Sequence, residues 1–149
     1  MPTIIHLQNN SKSTHIPLPH QFQHWVEVAL SDKTIAAEIT IRLVDEEESA
    51  QLNQLYRRKN GATNVLSFPF EAELDIDEAS LGDLVICAPI IKKEAVKQHK
   101  TLTAHWAHIV IHGILHLLGY DHVNEDDALI MENLEINYLQ QLGFHNPYT

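Results

Sequence analysis

The segment Leu102–Leu118 constrains this chain more than any other, because it is strongly apolar and yet carries four histidines. It reads as a helix that a fold must bury, with Gly119 as its natural stop. Buried imidazoles need partners, so whatever surrounds this helix has to supply them. Six of the eleven histidines fall between His99 and His122, which marks this region as the place to look for function.

Within it lies His112-Gly113-Ile114-Leu115-His116-Leu117-Leu118-Gly119-Tyr120-Asp121-His122. Helix positions four apart share a face one turn apart, so His112 and His116 can grip one ion. Gly119 tolerates the left-handed conformation that ends a helix, letting the chain turn back and deliver His122 as a third nitrogen ligand. Three neutral imidazoles and an open position describe a catalytic zinc site with one Zn2+ per chain, whereas structural zinc is normally closed by four ligands and rich in Cys. The spacing is that of the metzincins, H-x-x-x-H-x-x-G-x-x-H. The competing reading is a set of hydrogen-bonded core histidines. His108 continues the stripe one turn earlier, but four ligands along one straight helix would span too far for one ion. His108 is therefore expected to pack behind the ligands, and His105 to be a capping or surface residue. Asp121 either orients a ligand imidazole or caps the turn.

Gly113 stands where a metzincin protease carries its catalytic Glu. A peptidase needs a group to move protons to the leaving amine, and glycine cannot do so. A phosphodiester is the better substrate if a cation lies nearby to stabilise the phosphorane-like transition state. Seven of the ten basic residues sit in Arg57–Lys59 or Lys92–Lys100, so positive patches survive on an acidic chain. Arg57 is the candidate clamp, since arginine holds a phosphate with two prongs where lysine cannot. The plainer alternative, which composition alone favours, makes Arg57 a helix-end cation worth a few tenths of a kcal/mol.

Composition bounds the rest. A chain of 149 residues, 44% hydrophobic and 20% charged, fits one domain over 1–149 with a real core and is neither disordered nor collagen-like. No apolar run is long enough to span a membrane, and Met1–Asn10 does not read as a leader. The single cysteine, Cys87, permits no internal disulfide and fits a reducing cytoplasm. A formal charge of −10 argues against a general electrostatic grip on nucleic acid or anionic membrane. Neither DNA nor membrane is an expected partner.

The elements read β-α-β-α-β-β-α-α-α. Thr3–Leu7 is a first strand, and Phe22, Trp25, Val26, Ala29 and Leu30 follow helical spacing. Ile39, Ile41 and Leu43 alternate as in a half-buried strand. Asp45 can cap a helix running to about Tyr56 that buries Leu52 and Leu55. Asn64–Phe70 and Asp83–Cys87 are strands joined by the acidic stretch Glu71–Glu78. Pro89 opens a helix reaching Lys100. A last helix runs from Asn124 or Glu125 to near Leu142. Strands separated by a helix should pair in parallel, and the two joined by a loop antiparallel. The expected class is α/β: a small mixed four-stranded sheet covered by about five helices, with the metzincin-like zinc motif on a central helix.

Tyr56-Arg57, Thr63-Asn64-Val65-Leu66-Ser67-Phe68-Pro69, Gly82-Asp83 and the run from His105 through His122 together resemble the YbeY family of bacterial single-strand-specific metallo-endoribonucleases. The resemblance covers most of the chain; the first thirty residues match only in general character. It implies an α/β fold, zinc on His112, His116 and His122, and a functionally important arginine at Arg57. It also implies action on ribosomal RNA, in maturing the trailing end of the small-subunit (16S) molecule and in ribosome quality control, with ribosomal or ribosome-associated proteins as partners. Two other readings stay open: a ribosome-associated binding factor with a structural zinc, and a metzincin-like metallopeptidase.

Overall fold

The computed structural model describes residues 3–33, 37–69 and 79–149. Nine elements follow in the expected order: β1 (Thr3–Asn9), α1 (Pro19–Ala29), β2 (Ala37–Val44), α2 (Glu46–Arg57), β3 (Val65–Pro69), β4 (Ala79–Cys87), α3 (Ala88–Lys97), α4 (Leu102–Leu117) and α5 (Glu125–Gln141). The acidic stretch Glu71–Glu78, and Phe70 before it, lie outside the described residues.

The period-two pattern of β2 puts Ala37, Ile39, Ile41 and Leu43 on a fully buried face, with Glu38, Thr40 and Arg42 opposite. This strand pairs in parallel with β1 on one side and β4 on the other, and β3 lies antiparallel to β4 at the edge, giving the order β1-β2-β4-β3. Strands β2 and β3, although joined by a helix, therefore do not pair. The antiparallel β3–β4 pair enters the sheet with β4 innermost. Leu84, Val85, Ile86 and Cys87 are all buried, so β4 gains most from neighbours on both edges. An extra residue, Leu81, is accommodated in β4 opposite the Glu38–Ile39 step, and Gly82 beside it takes φ 136°.

Helix α4 is the core of the molecule, with ten of its sixteen residues buried. Trp106 on α4 meets Phe22 of α1 edge-on at 5.8 Å, and Phe22 meets Trp25 at 5.7 Å. Such pairs add to the large area that aromatic burial removes from water. From its middle to its C-terminus, only His108, His112 and His116 of α4 remain half-exposed. The fold thus leaves one histidine stripe open.

Three local expectations need correction. Leu55 is 69% exposed and Leu52 only half-buried; α2 instead turns Ser49 and Asn53 inward. Ser49 Oγ bonds the carbonyl and the N–H of Thr63, each at 3.0 Å, and Asn53 Nδ2 donates to the carbonyl of Gly61 at 2.9 Å. The inner face of α2 holds a loop backbone, which calls for polar groups. Asp45 occupies the N-cap position without capping by its side chain. Its carboxylate accepts from Ser11 Oγ at 2.5 Å and Lys12 N–H at 3.0 Å, tying the segment after β1 to the end of β2. Helix α3 stops at Lys97, short of Lys100, as His99 turns to φ 56° and Lys100 N–H closes on the carbonyl of Ala95.

Candidate metal centre

Helix α4 ends as its sequence directs. Gly119 takes φ 99°, its N–H reaches the His116 carbonyl at 3.0 Å, and Tyr120 N–H reaches that of Leu115 at 3.0 Å. This double closure reverses the chain and satisfies the last helical carbonyls. It brings His122 back over the helix end, with its ring centroid 5.7 Å from that of His112 and 5.2 Å from that of His116. One ring nitrogen from each of the three histidines falls within 4.8 Å of the others, so the set can hold a metal ion. Two of these residues sit on the helix and the third just beyond it.

The donor chemistry fits a tetrahedral ion. Nitrogens sharing one zinc at ~2.0–2.1 Å lie roughly 3.3 Å apart, and His112 Nε2 and His116 Nε2 stand 3.0 Å apart. Burial, with His112 and His122 beside it, holds His116 below the usual imidazole range, leaving its ring neutral near pH 7. Three nitrogens with no fourth protein donor among the described residues match an open site better than a closed structural one.

Behind the triad lies a residue that local spacing could not reveal. Glu135 of α5 is 1% exposed. His112 Nδ1 donates to its Oε2 at 3.0 Å, His108 Nε2 donates to its Oε1 at 2.5 Å, and the Tyr148 hydroxyl donates to Oε1 at 2.6 Å. Burial alone would raise this carboxyl, but the three hydrogen bonds outweigh it and bring Glu135 down to about 2. His108 accordingly packs behind the triad, its own ring held below the usual range by burial. His105 is neither cap nor surface residue: it is 2% exposed, and its Nε2 donates to Glu94 Oε1 at 2.9 Å. The apolar neighbours of α4 enclose it, and α3 supplies the partner. Asp121 Oδ1 accepts the backbone N–H of His122 at 2.7 Å and lies 4.0 Å from His122 Nδ1, so it stands in turn-capping geometry.

The three histidines open onto a groove of about 640 Å³, which Arg57, Asn64, Ser67 and Asp121 also line. Arg57 ends α2 and stretches across to donate from Nη2 to the Ser67 carbonyl on β3 at 2.8 Å. Since β3 is the sheet's edge strand among the described residues, that carbonyl has no strand partner among them. Arg57 is therefore both a helix-end cation and a wall of the histidine groove. Gly113 faces the opposite way. A Cβ there would lie 2.8 Å from Leu84 Cδ2 of β4, so any side chain at this point would have to displace the fully buried Leu84.

The family model for endoribonuclease YbeY matches residues 5–143. The chain belongs to the YbeY family. An endoribonuclease YbeY from Nitrosococcus oceani is 50% identical over 150 residues, covering 99% of this chain and 98% of that protein. A solution structure of a Thermotoga maritima protein superposes with a TM-score of 0.66 at 27% identity, over 93% of this chain and 89% of that one.

Of the segments that carry the YbeY resemblance, Arg57, the Thr63–Pro69 run and the His112–His122 run meet around the groove, whereas Asp83 lines a separate pocket with Tyr56 and Phe68. Asn64 is the second residue of the Thr63–Pro69 segment, and its Nδ2 donates to Glu94 Oε1 at 3.2 Å, the carboxylate that also holds His105. Ser67 presents its carbonyl to Arg57, and its hydroxyl lies 3.4 Å from the Gly113 carbonyl on α4. Sequence reasoning missed Glu94 and Glu135. Both sit on helices other than α4, and a lone glutamate in an amphipathic helix carries no local mark of a buried partner.

Proposed function

We propose that this chain is a zinc-dependent endoribonuclease that cleaves single-stranded RNA in the groove shared by His112, His116, His122 and Arg57. The observation that carries the reading is the convergence of three imidazole nitrogens within 4.8 Å of one another, beside an arginine in one groove. Membership of an endoribonuclease family supplies the substrate class. A bound zinc ion would polarise a phosphoryl oxygen and acidify a water. The chain's own residues supply position and charge. The Ser67 carbonyl anchors one Arg57 N–H, which steadies the guanidinium while its other donors remain for a phosphate. His116, neutral near pH 7, offers a lone pair without first losing a proton.

The peptidase reading is weaker, because position 113 points at Leu84, which a proton-shuttling Glu would have to displace. A structural zinc is weaker too, because the three nitrogens open onto a groove. By the same family reasoning the RNA is the 3′ end of small-subunit ribosomal RNA, the setting late ribosome assembly and quality control in the cytoplasm, and the partners ribosomal or ribosome-associated proteins. The acidic balance of −10 favours partners that deliver RNA over a strong grip of its own.

The test is cleavage of single-stranded RNA and of casein, side by side, by the wild-type protein and His116→Ala prepared identically. RNA cleavage lost in the variant, with casein untouched by both, is the expected result. Casein cleavage by the wild type, or RNA cleavage that survives in His116→Ala, would overturn the proposal.

A further inference from the structure

We infer that Glu135 is a positioning residue for the histidine site and that Tyr148, from the segment after α5, clasps it in place. This rests on the reading of His112, His116 and His122 as ligands.

An ionised carboxylate can only accept hydrogen bonds. His112 must therefore carry its proton on Nδ1, the atom 3.0 Å from Glu135 Oε2. A neutral ring protonated at Nδ1 presents a lone pair at Nε2, the atom that faces His116 at 3.0 Å. Glu135 thereby decides which nitrogen of His112 meets the ion and how the ring is turned.

The carboxylate needs fixing in its turn. Oε1 is held by two donors, His108 Nε2 on α4 at 2.5 Å and the Tyr148 hydroxyl at 2.6 Å, which stand 3.3 Å from each other. With Oε1 pinned, Oε2 is left aimed at His112. Tyr148 also stands edge-on to the His108 ring, with centroids 5.5 Å apart, and its N–H is held by Asn146 Oδ1 at 2.8 Å. The clasp is thus an ordered turn, reaching a ligand of α4 through a side chain of α5.

The purely structural alternative makes Glu135 no more than a partner for His108. The two differ in what Glu135→Gln does to folded protein. Its amide can offer one oxygen where the carboxylate offered two, so either His112 or His108 loses its acceptor. The experiment measures Zn2+ affinity by competition with a chromophoric chelator, and the tautomer of His112 in metal-free protein by nitrogen-15 shifts. Wild type, Glu135→Gln, Tyr148→Phe and His112→Ala are compared, each checked for fold by circular dichroism.

The expected result is a loss of ~10–100-fold in affinity for Glu135→Gln, a smaller loss for Tyr148→Phe, and a His112 ring that is no longer uniformly protonated at Nδ1. Folded Glu135→Gln that binds Zn2+ like wild type, while His112→Ala loses it, overturns the positioning role and leaves the ligand reading intact. Retention of Zn2+ by His112→Ala sinks the ligand reading itself. Should Glu135→Gln fail to fold, Tyr148→Phe decides: unchanged affinity with an unchanged His112 tautomer overturns the clasp and the positioning role together.

Discussion

His112 Nε2 and His116 Nε2 face each other across 3.0 Å, one helical turn apart, with no carboxylate between them. Two nitrogen lone pairs at that distance repel unless a proton or a cation lies between them. The pair can therefore share either a proton, as a neutral N–H···N hydrogen bond, or a cation, and His122, carried back by the Gly119 turn, adds a third nitrogen.

From this follows the first prediction. Replacing His112, His116 or His122 by Ala should each strip the metal, checked by elemental analysis of the purified variants. Because ligand imidazoles must be neutral, affinity in the wild type should weaken as pH falls through the imidazole range. Stoichiometric zinc in any of the three variants, or an affinity flat between neutral and mildly acidic pH, would show the wrong ligands.

Arg57→Ala should keep its metal and its fold but lose most RNA cleavage, by ~10²–10³ in rate, as when one preorganised transition-state donor is removed. Arg57→Lys should rescue poorly, because a point charge cannot hold the Ser67 carbonyl and a phosphate in the same fork. As a mere helix-end cation Arg57 would be dispensable, so full cleavage by zinc-loaded Arg57→Ala would refute the clamp.

Gly113→Glu tests the peptidase question directly. The new side chain would be driven into Leu84 and would bring a charge into a buried helix–sheet contact, at a cost of ~3 kcal/mol or more. The expected outcome in urea unfolding is a sharply lowered midpoint, with no casein cleavage gained. A stable variant that cleaves casein would mean that position 113 does reach the groove.

The Ser11–Asp45 contact makes a pH prediction. Ser11 Oγ, then Lys12 N–H, hold the Asp45 carboxyl below its usual value of 3.8. A carboxyl depressed in the folded state stabilises above its unfolded value and loses that contribution as pH falls through its folded one. Asp45→Asn should therefore be less stable than wild type at pH 7, by about 1 kcal/mol or less for a partly exposed group. The gap should begin to close as pH falls below ~4 and narrow further as it passes through the lower folded-state value. Urea midpoints of the two proteins at pH 7 and pH 3 check this, and a gap of equal size at both would remove Asp45 as its source.

The sequence by itself determined what depends on neighbours along the chain. Four-residue spacing put His112 and His116 on one face, and Gly119 dictated the reversal that returns His122, because both follow from backbone geometry within a few residues. The alternation in β2 and the helical spacing from Phe22 to Leu30 likewise placed their buried faces. Tertiary structure decided what depends on how elements dock. Glu135 reaches His112 only because α5 packs against α4. Arg57 enters the groove only because β3 takes the sheet edge and offers the Ser67 carbonyl. Leu55 is exposed because α2 spends its inner face on the backbone of the following loop, and His105 is buried because α3 brings Glu94 to it. The loss of space at Gly113 belongs to the same class, since Leu84 lies on a strand twenty-nine positions earlier. Periodicity records which face of an element is apolar, but not which partner that face will meet, and a buried polar pair between distant elements is set by that meeting alone.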